Sequence, residues 1–273
     1  PATTPPGRQP EPGAIGADAI GGDDPFIMQS DGKGWLFAPS GLVDGPLPTH
    51  YEAQESPVRN ALYQQQQAPA RVMMPRADNL DAPSAGDPGV EVYPYVFTTY
   101  RLTEHHTAGG MSRWSPYLAE LQPEMFCEIS PALAAEVGVV NEGWATIISP
   151  RAAIEARVLV TDRLRPLDIN GRAVHQIGLP YHWGQGGDAV VTGDAANDLI
   201  GVTMDPNVFI QESKVGSCAM IAGRRPRGGA ALDLVREYQR RAGVTMETDN
   251  ERVTATDDAD GPRVQEGDRQ WDS

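Results

Sequence analysis

The sequence predicts a mainly β protein with short helices whose strands close into a barrel, and three observations carry that expectation. Short runs of aromatic and β-branched residues, which suit a pleated and half-buried surface, recur between Glu91 and Ala222. Short helical signatures are inserted among them, a pattern that suits a closed barrel with helical decoration. Of the 24 prolines among 273 residues 14 fall in the first ninety positions, with 11 of the 29 glycines, so the compact part is expected to be shorter than the chain.

Taken in order, residues 1–24 are rich in Pro, Gly and Ala without a period and read as a flexible arm. Residues 25–90 carry isolated aromatic anchors (Phe26, Trp35, Phe37, Tyr51) among turn residues, the pattern of extended, irregular chain laid over another surface. The barrel is assigned to residues 91–223. Its first strand is Glu91 to Tyr100 and its second Phe126 to Ser130. Ser130 then caps a short helix with Pro131 at its first position, ended by Gly138. Trp144 to Ser149 and Ala153 to Val160 form a hairpin with alternating faces, Asp168 to Gly171 a turn, and Ala173 to Leu179 a further strand. Ser217 to Ala222 completes the barrel. In residues 224–244 a basic patch (Arg224, Arg225, Arg227) precedes a helix from Ala230 to Arg241, with Leu232, Val235 and Tyr238 on one side for contact with a partner. Residues 245–273 are acidic and poor in apolar side chains, the composition of a disordered tail.

A net charge of −15 argues against general affinity for nucleic acid or anionic lipid, since both need clustered Lys and Arg. No apolar run approaches the roughly 20 residues of a spanning helix, so direct membrane insertion is not expected. The chain starts at Pro1 without an initiator methionine, which raises the expectation of a processed product or a piece of a longer polypeptide. Cys127 and Cys218, the two cysteines, are too few for an iron–sulfur cluster held by four thiolates; their spacing does not say whether they pair as a disulfide, and two buried free thiols are the blander reading.

The densest polar constellation is Tyr100-Arg-Leu-Thr-Glu-His-His-Thr-Ala-Gly-Gly-Met-Ser-Arg113. His105 and His106 are adjacent, so on extended chain they face opposite ways and do not chelate one ion. Arg101 offers a planar donor fork, Thr103 and Thr107 offer hydroxyls, and Gly109-Gly110 lets backbone approach an anion. On chemistry alone a phosphate site and a loop that merely satisfies itself fit equally. A second cluster, Tyr181-His-Trp183 followed by glycines, is either a stacking platform for a flat heterocycle or an aromatic plug of the core. Asn197 and Asp198 are caps or polar ligands. No Gly-x-Ser-x-Gly, Walker loop, His-Glu-x-x-His or Cys-x-x-Cys is present, so neither a catalytic residue nor a metal ligand is assigned.

These clusters resemble, in order and spacing, the C-terminal portion of molybdopterin oxidoreductases of the respiratory formate dehydrogenase type. Thr98-Thr-Tyr-Arg-Leu-Thr-Glu-His-His106 carries most of the likeness. Gly45-Pro-Leu-Pro-Thr-His-Tyr-Glu52 upstream, and Gln176-Ile-Gly-Leu-Pro-Tyr-His-Trp-Gly184 with Ala196-Asn-Asp-Leu199 downstream, extend it. The resemblance implies a double-psi β-barrel that closes over a bis(molybdopterin guanine dinucleotide) carrying molybdenum or tungsten. It implies that Arg101, Leu102, Thr103, Glu104, His105, His106 and Thr107 line the pterin and pyrophosphate. By the same likeness Tyr181, His182 and Trp183 contact the dinucleotide, and Asn197, Asp198 and Lys214 fix its polar edges. The family's metal-ligating selenocysteine or cysteine and its cluster motif have no counterpart here. The implied partners are therefore the N-terminal catalytic part of the large subunit, with its iron–sulfur cluster, and an iron–sulfur electron-transfer subunit. Alone, the chain is expected to be inactive. The alternatives are the same part of a nitrate or sulfoxide reductase, or a non-catalytic nucleotide- or partner-binding barrel; the compartment stays open.

Overall fold

A computed structural model describes residues 53–60, 80–184, 193–203, 211 and 214–244. The arm at 1–24, most of the 25–90 segment and the acidic tail at 245–273 lie outside the described residues.

Six strands close into one barrel. In chain order they are β1 (Tyr95–Tyr100), β2 (Phe126–Ile129), β3 (Trp144–Ile148), β4 (Ala153–Val160), β7 (Gln176–Pro180) and β8 (Val215–Ala222), and around the barrel they run β1-β7-β2-β4-β3-β8. Two neighbouring pairs are parallel, β1 with β7 and β2 with β4, and the other four are antiparallel. Closure leaves none of these six strands with an unpaired edge. The inside is filled by Phe97, Ile129, Ile147, Ile177 and Leu179, all fully buried, with Leu133 from the helix that follows β2 closing against them. Cys127 and Cys218 are free buried thiols in the same core. Burial pushes the Cys127 thiol up to about 12 and Cys218 well above its ordinary value, so both stay protonated and apolar in character.

Several expectations hold closely. Helix α2 (Pro131–Val137) starts where Ser130 accepts the Leu133 N–H, has Pro131 in its first turn, and stops at Gly138, whose φ of 76° is left-handed. Strands β3 and β4 are the anticipated hairpin. Others need correcting. The strand expected from Glu91 begins only at Tyr95, because Pro94 offers no N–H to a ladder and Val90–Val92 winds into a 3-10 turn. The strand expected from Ala173 to Leu179 is two. Its first part, β6 (Arg172–Val174), pairs with β5 (Leu167–Ile169) across the Asn170-Gly171 turn, and only β7 enters the barrel. Helix α1 (Pro116–Leu121), not anticipated, leaves Tyr117 and Leu121 exposed, so it lacks the buried stripe that makes a helix readable.

The last helix, α3 (Gly229–Ala242), buries part of its apolar side within the chain and leaves Leu232 exposed. Val235, Tyr238 and Ala242 are buried, and Tyr238 and Ala242 pack with Tyr93, Ile148 and Ala219 in a second core outside the barrel. Gln239 Nε2 donates to the Pro150 carbonyl at 2.6 Å. The described part of the 25–90 segment also lies on this barrel. Glu55, buried, accepts from the N–H groups of Ala82 and Ser217 and from Arg151.

Candidate functional site

Parallel pairing decides where the motifs meet. Strands β1 and β7 end side by side, Tyr100 opposite Pro180, and β8 begins beside them with Val215 opposite Thr98. The residues after β1 (101–107), those after β7 (181–183) and Lys214 before β8 therefore share one end of the barrel. Motifs some eighty residues apart in sequence become one rim. Asn197 joins it through a hydrogen bond from its Nδ2 to the Tyr181 hydroxyl, 3.1 Å.

The rim has an outer and an inner layer. Outside, Arg101, Thr103, His106, Thr107, Asn197, Asp198 and Lys214 are exposed, and Tyr181 is half-buried. The Arg101 guanidinium lies over the Tyr181 ring, its central carbon 4.0 Å from the ring centre, a cation–π contact made by an exposed side chain. Among the described residues Arg101 takes part in no ion pair. Gly110 is exposed with open space where a side chain would be. A cation, two threonine hydroxyls and bare backbone together suit an anionic, oxygen-rich ligand. Glu104, half-buried, opposes that charge. Crowding by neighbouring chain and the carboxylate of Asp194 raise the Asp198 carboxyl above its ordinary value.

Inside, His105, His182 and Trp183 are buried with ring centres 5.3–5.9 Å apart, all tilted or edge-on. His105 donates from Nε2 to the Gln122 carbonyl, 2.9 Å, and meets the Ser112 hydroxyl through Nδ1, 3.1 Å. His182 accepts the Leu102 N–H at Nε2, 2.7 Å, and donates from Nδ1 to the Thr107 carbonyl, 2.5 Å. Burial, with help from His105 and Arg101, lowers its pKa although the Thr107 hydrogen bond works the other way.

The two readings left open for Tyr181-His-Trp183 thus divide by residue. His182 and Trp183 plug the core, and Tyr181 alone reaches the surface. Likewise His105 and His106 point apart, one buried and one exposed. Leu102 packs against the barrel core. Asn197 and Asp198 are not caps, since the 3-10 turn Ala196–Leu199 starts from Ala195 without a side-chain bond. No group of three or more His, Cys, Asp or Glu placed to hold a metal occurs among the described residues.

Two supporting residues, Ser112 and Arg113, were given no role by the sequence reading. The Ser112 hydroxyl accepts the His106 N–H, and Arg113 donates to the Gly109 and Gly184 carbonyls, tying the two rim segments together. Gly109 has φ 79°, and a Cβ there would come within 2.3 Å of the His182 carbonyl oxygen. The Gly-Gly pair followed by Ser and Arg was the available signal: a chain that reverses there brings the next polar residues back onto the loop.

Residues 95–216, which span the barrel from β1 into β8, match the Molydopterin dinucleotide binding domain. The chain is 38% identical over 198 residues to the formate dehydrogenase 2 subunit alpha (cytochrome c-553) of Nitratidesulfovibrio vulgaris, covering 72% of this chain and 19% of that protein. It is 42% identical over 191 residues to the nitrate-inducible formate dehydrogenase major subunit of Escherichia coli, covering 67% and 17%. A lesser likeness, 31% over 128 residues and 47% and 16% of the two chains, is to the assimilatory nitrate reductase catalytic subunit of Bacillus subtilis. The chain thus carries a molybdopterin dinucleotide binding domain and is related to part of formate dehydrogenase large subunits. It spans about a fifth of the length of the curated relatives it matches.

Proposed function

We propose that this chain is the cofactor-clasping C-terminal portion of a molybdenum- or tungsten-dependent formate dehydrogenase, and that its rim holds a bis(molybdopterin guanine dinucleotide). The observation that carries the reading is the convergence of Arg101 to Thr107, Tyr181 and Lys214 at one end of a barrel of the matching domain class. The donor set fits such a group. Arg101 and Lys214 supply positive charge for pyrophosphate, Thr103 and Thr107 supply hydroxyls, and Tyr181 with Asn197 offers a flat ring and an amide for a heterocycle edge. Leu102, Glu104, His105, His106, His182, Trp183 and Asp198 shape or flank that surface. The cofactor supplies the two-electron redox chemistry that would take formate to carbon dioxide, and this chain binds, orients and shields it.

The two parallel pairs, β1 with β7 and β2 with β4, support a double-psi arrangement. The reaction needs partners: the N-terminal catalytic part of the large subunit with its iron–sulfur cluster, and an iron–sulfur electron-transfer subunit. A formate enzyme is favoured over a nitrate reductase because the likeness to formate dehydrogenases extends over 67–72% of the chain, against 47% for the nitrate enzyme.

Arg101→Ala in the assembled enzyme tests the reading. Acid-released guanine nucleotide and metal per polypeptide should fall, while turnover per bound metal falls less. Full occupancy in that variant would show the clasp role to be wrong.

A further inference from the structure

We infer that His182 is a positioning residue whose buried imidazole clamps the rim loop, by its bonds to Leu102 and Thr107, in the shape that turns Arg101, Thr103 and Thr107 outward to an anionic ligand. This rests on the clasp reading above and adds the part that gives the clasp its form.

The geometry leaves the ring one protonation pattern. Leu102 offers an N–H, so Nε2 must present a lone pair to it, and the proton sits on Nδ1, where the Thr107 carbonyl accepts it. One neutral ring thus bridges the two ends of a loop six residues long. The loop needs such a hold, because Thr107 is β-branched yet has φ 45°, a left-handed conformation that costs free energy. The backbone of His182 makes a second contact, since only a glycine at 109 lets the loop pass its carbonyl. His105 and Trp183 pack against the ring at 5.7 and 5.9 Å and fix its orientation. None of these bonds is needed to plug the core, which a phenylalanine would do as well.

A proton added at Nε2 would set two donors, that N–H and the Leu102 N–H, against each other, and the clamp would open. The charged and titratable groups around the ring are His105, Arg101 and Glu104, with Arg113 nearby on Gly109 and Gly184. Burial of the ring disfavours the added proton most, His105 and Arg101 add to that, and the Thr107 hydrogen bond and Glu104 work the other way. The folded chain therefore binds that proton less readily than the unfolded chain. The clamp's contribution is fully present above the ordinary histidine value of 6.5 and is lost as the pH falls from there through the lowered value.

The experiment uses the full-length protein with its cofactor. Hydrogen–deuterium exchange is followed in peptides covering 101–109, with the β2 segment as internal reference, alongside pterin retained per polypeptide. His182→Phe should speed exchange of the loop roughly 10–100-fold, the factor for one or two buried hydrogen bonds, and should shed cofactor. His182→Gln, which keeps one acceptor and one donor, should restore most of both. In the unmutated protein, loop protection corrected for intrinsic rate should fall below pH 6.5 before β2 loses any. Unchanged loop exchange in His182→Phe overturns the inference, and so does loop protection that falls only together with β2; the second needs no variant to fold. If the loop opens in His182→Phe with cofactor fully retained, while Arg101→Ala sheds it, positioning is overturned and the clasp stands. Full retention in both variants overturns the clasp reading and the inference with it.

Discussion

Arg151 and Arg101 stand near the same end of the barrel and are used in opposite ways. Arg151, in the β3–β4 turn, is nearly enclosed. Its guanidinium pairs with buried Glu55 and donates to the Leu199 and Leu80 carbonyls, so each edge has a partner within the chain. Arg101 lies exposed on Tyr181 and joins no ion pair among the described residues. The basic patch at 224–227 resembles Arg151: Arg224 and Arg227 donate to Glu155, and Arg225 to Asp194. A cation whose partners are already supplied holds the fold. One that rests on a ring, exposed and without an ion pair among the described residues, is available to an outside anion.

Substitutions can break that contrast. Arg151→Met should cost the most stability, about 3–5 kcal/mol, because it leaves the Glu55 carboxylate buried beside an apolar side chain. A denaturant titration that finds less than about 1 kcal/mol would show that Arg151 is not the fastening it resembles. Glu155→Gln should cost about 1–2 kcal/mol, less because Arg224 and Arg227 are more than half exposed and solvent screens them.

Acid sharpens the same point. Burial works to raise the Glu155 carboxyl, but hydrogen bonds from Arg224 and the Arg225 N–H, with the charges of Arg227 and Arg224, hold it below its ordinary 4.5. Its contribution is present above that value and lost as the pH falls through the lowered one, so Glu155→Gln should flatten the stability–pH curve only below 4.5. The smallest stability change is expected for Arg101→Ala, within about 0.5 kcal/mol, although its effect on cofactor occupancy should be the largest of the set. An Arg101→Ala chain that unfolds early would place Arg101 with the structural arginines.

Much of the barrel was legible because local rules and tertiary context agreed. Ser130-Pro131 through Gly138 carries its own start and stop, and the hairpin at 144–160 alternates as a half-buried strand pair must. Legibility failed where context overrode pattern. Val92 and Tyr93 look like strand, yet they are drawn into the second core beneath α3. His175 sits where one apparent strand splits, its carbonyl accepting the Val96 N–H just before β7 joins the barrel. The apolar side of α3 suggested a partner; part of it packs on the chain's own β3 and β8, while Leu232 stays exposed.

The sequence by itself determined which residue types are available, and where: Arg101, the hydroxyls of Thr103 and Thr107, the Gly109-Gly110 pair and the Tyr181-His-Trp trio all stand in the bare string. Only the tertiary structure decided that they meet, through the parallel pairing of β1 and β7, a contact between segments about eighty residues apart that no local period encodes. It also decided which face outward. In a strand or tight loop neighbouring side chains take opposite sides, so whether His182 is a ligand or a clamp depends on which side the barrel closes over. The chemistry is written in the sequence, and its direction is set by burial.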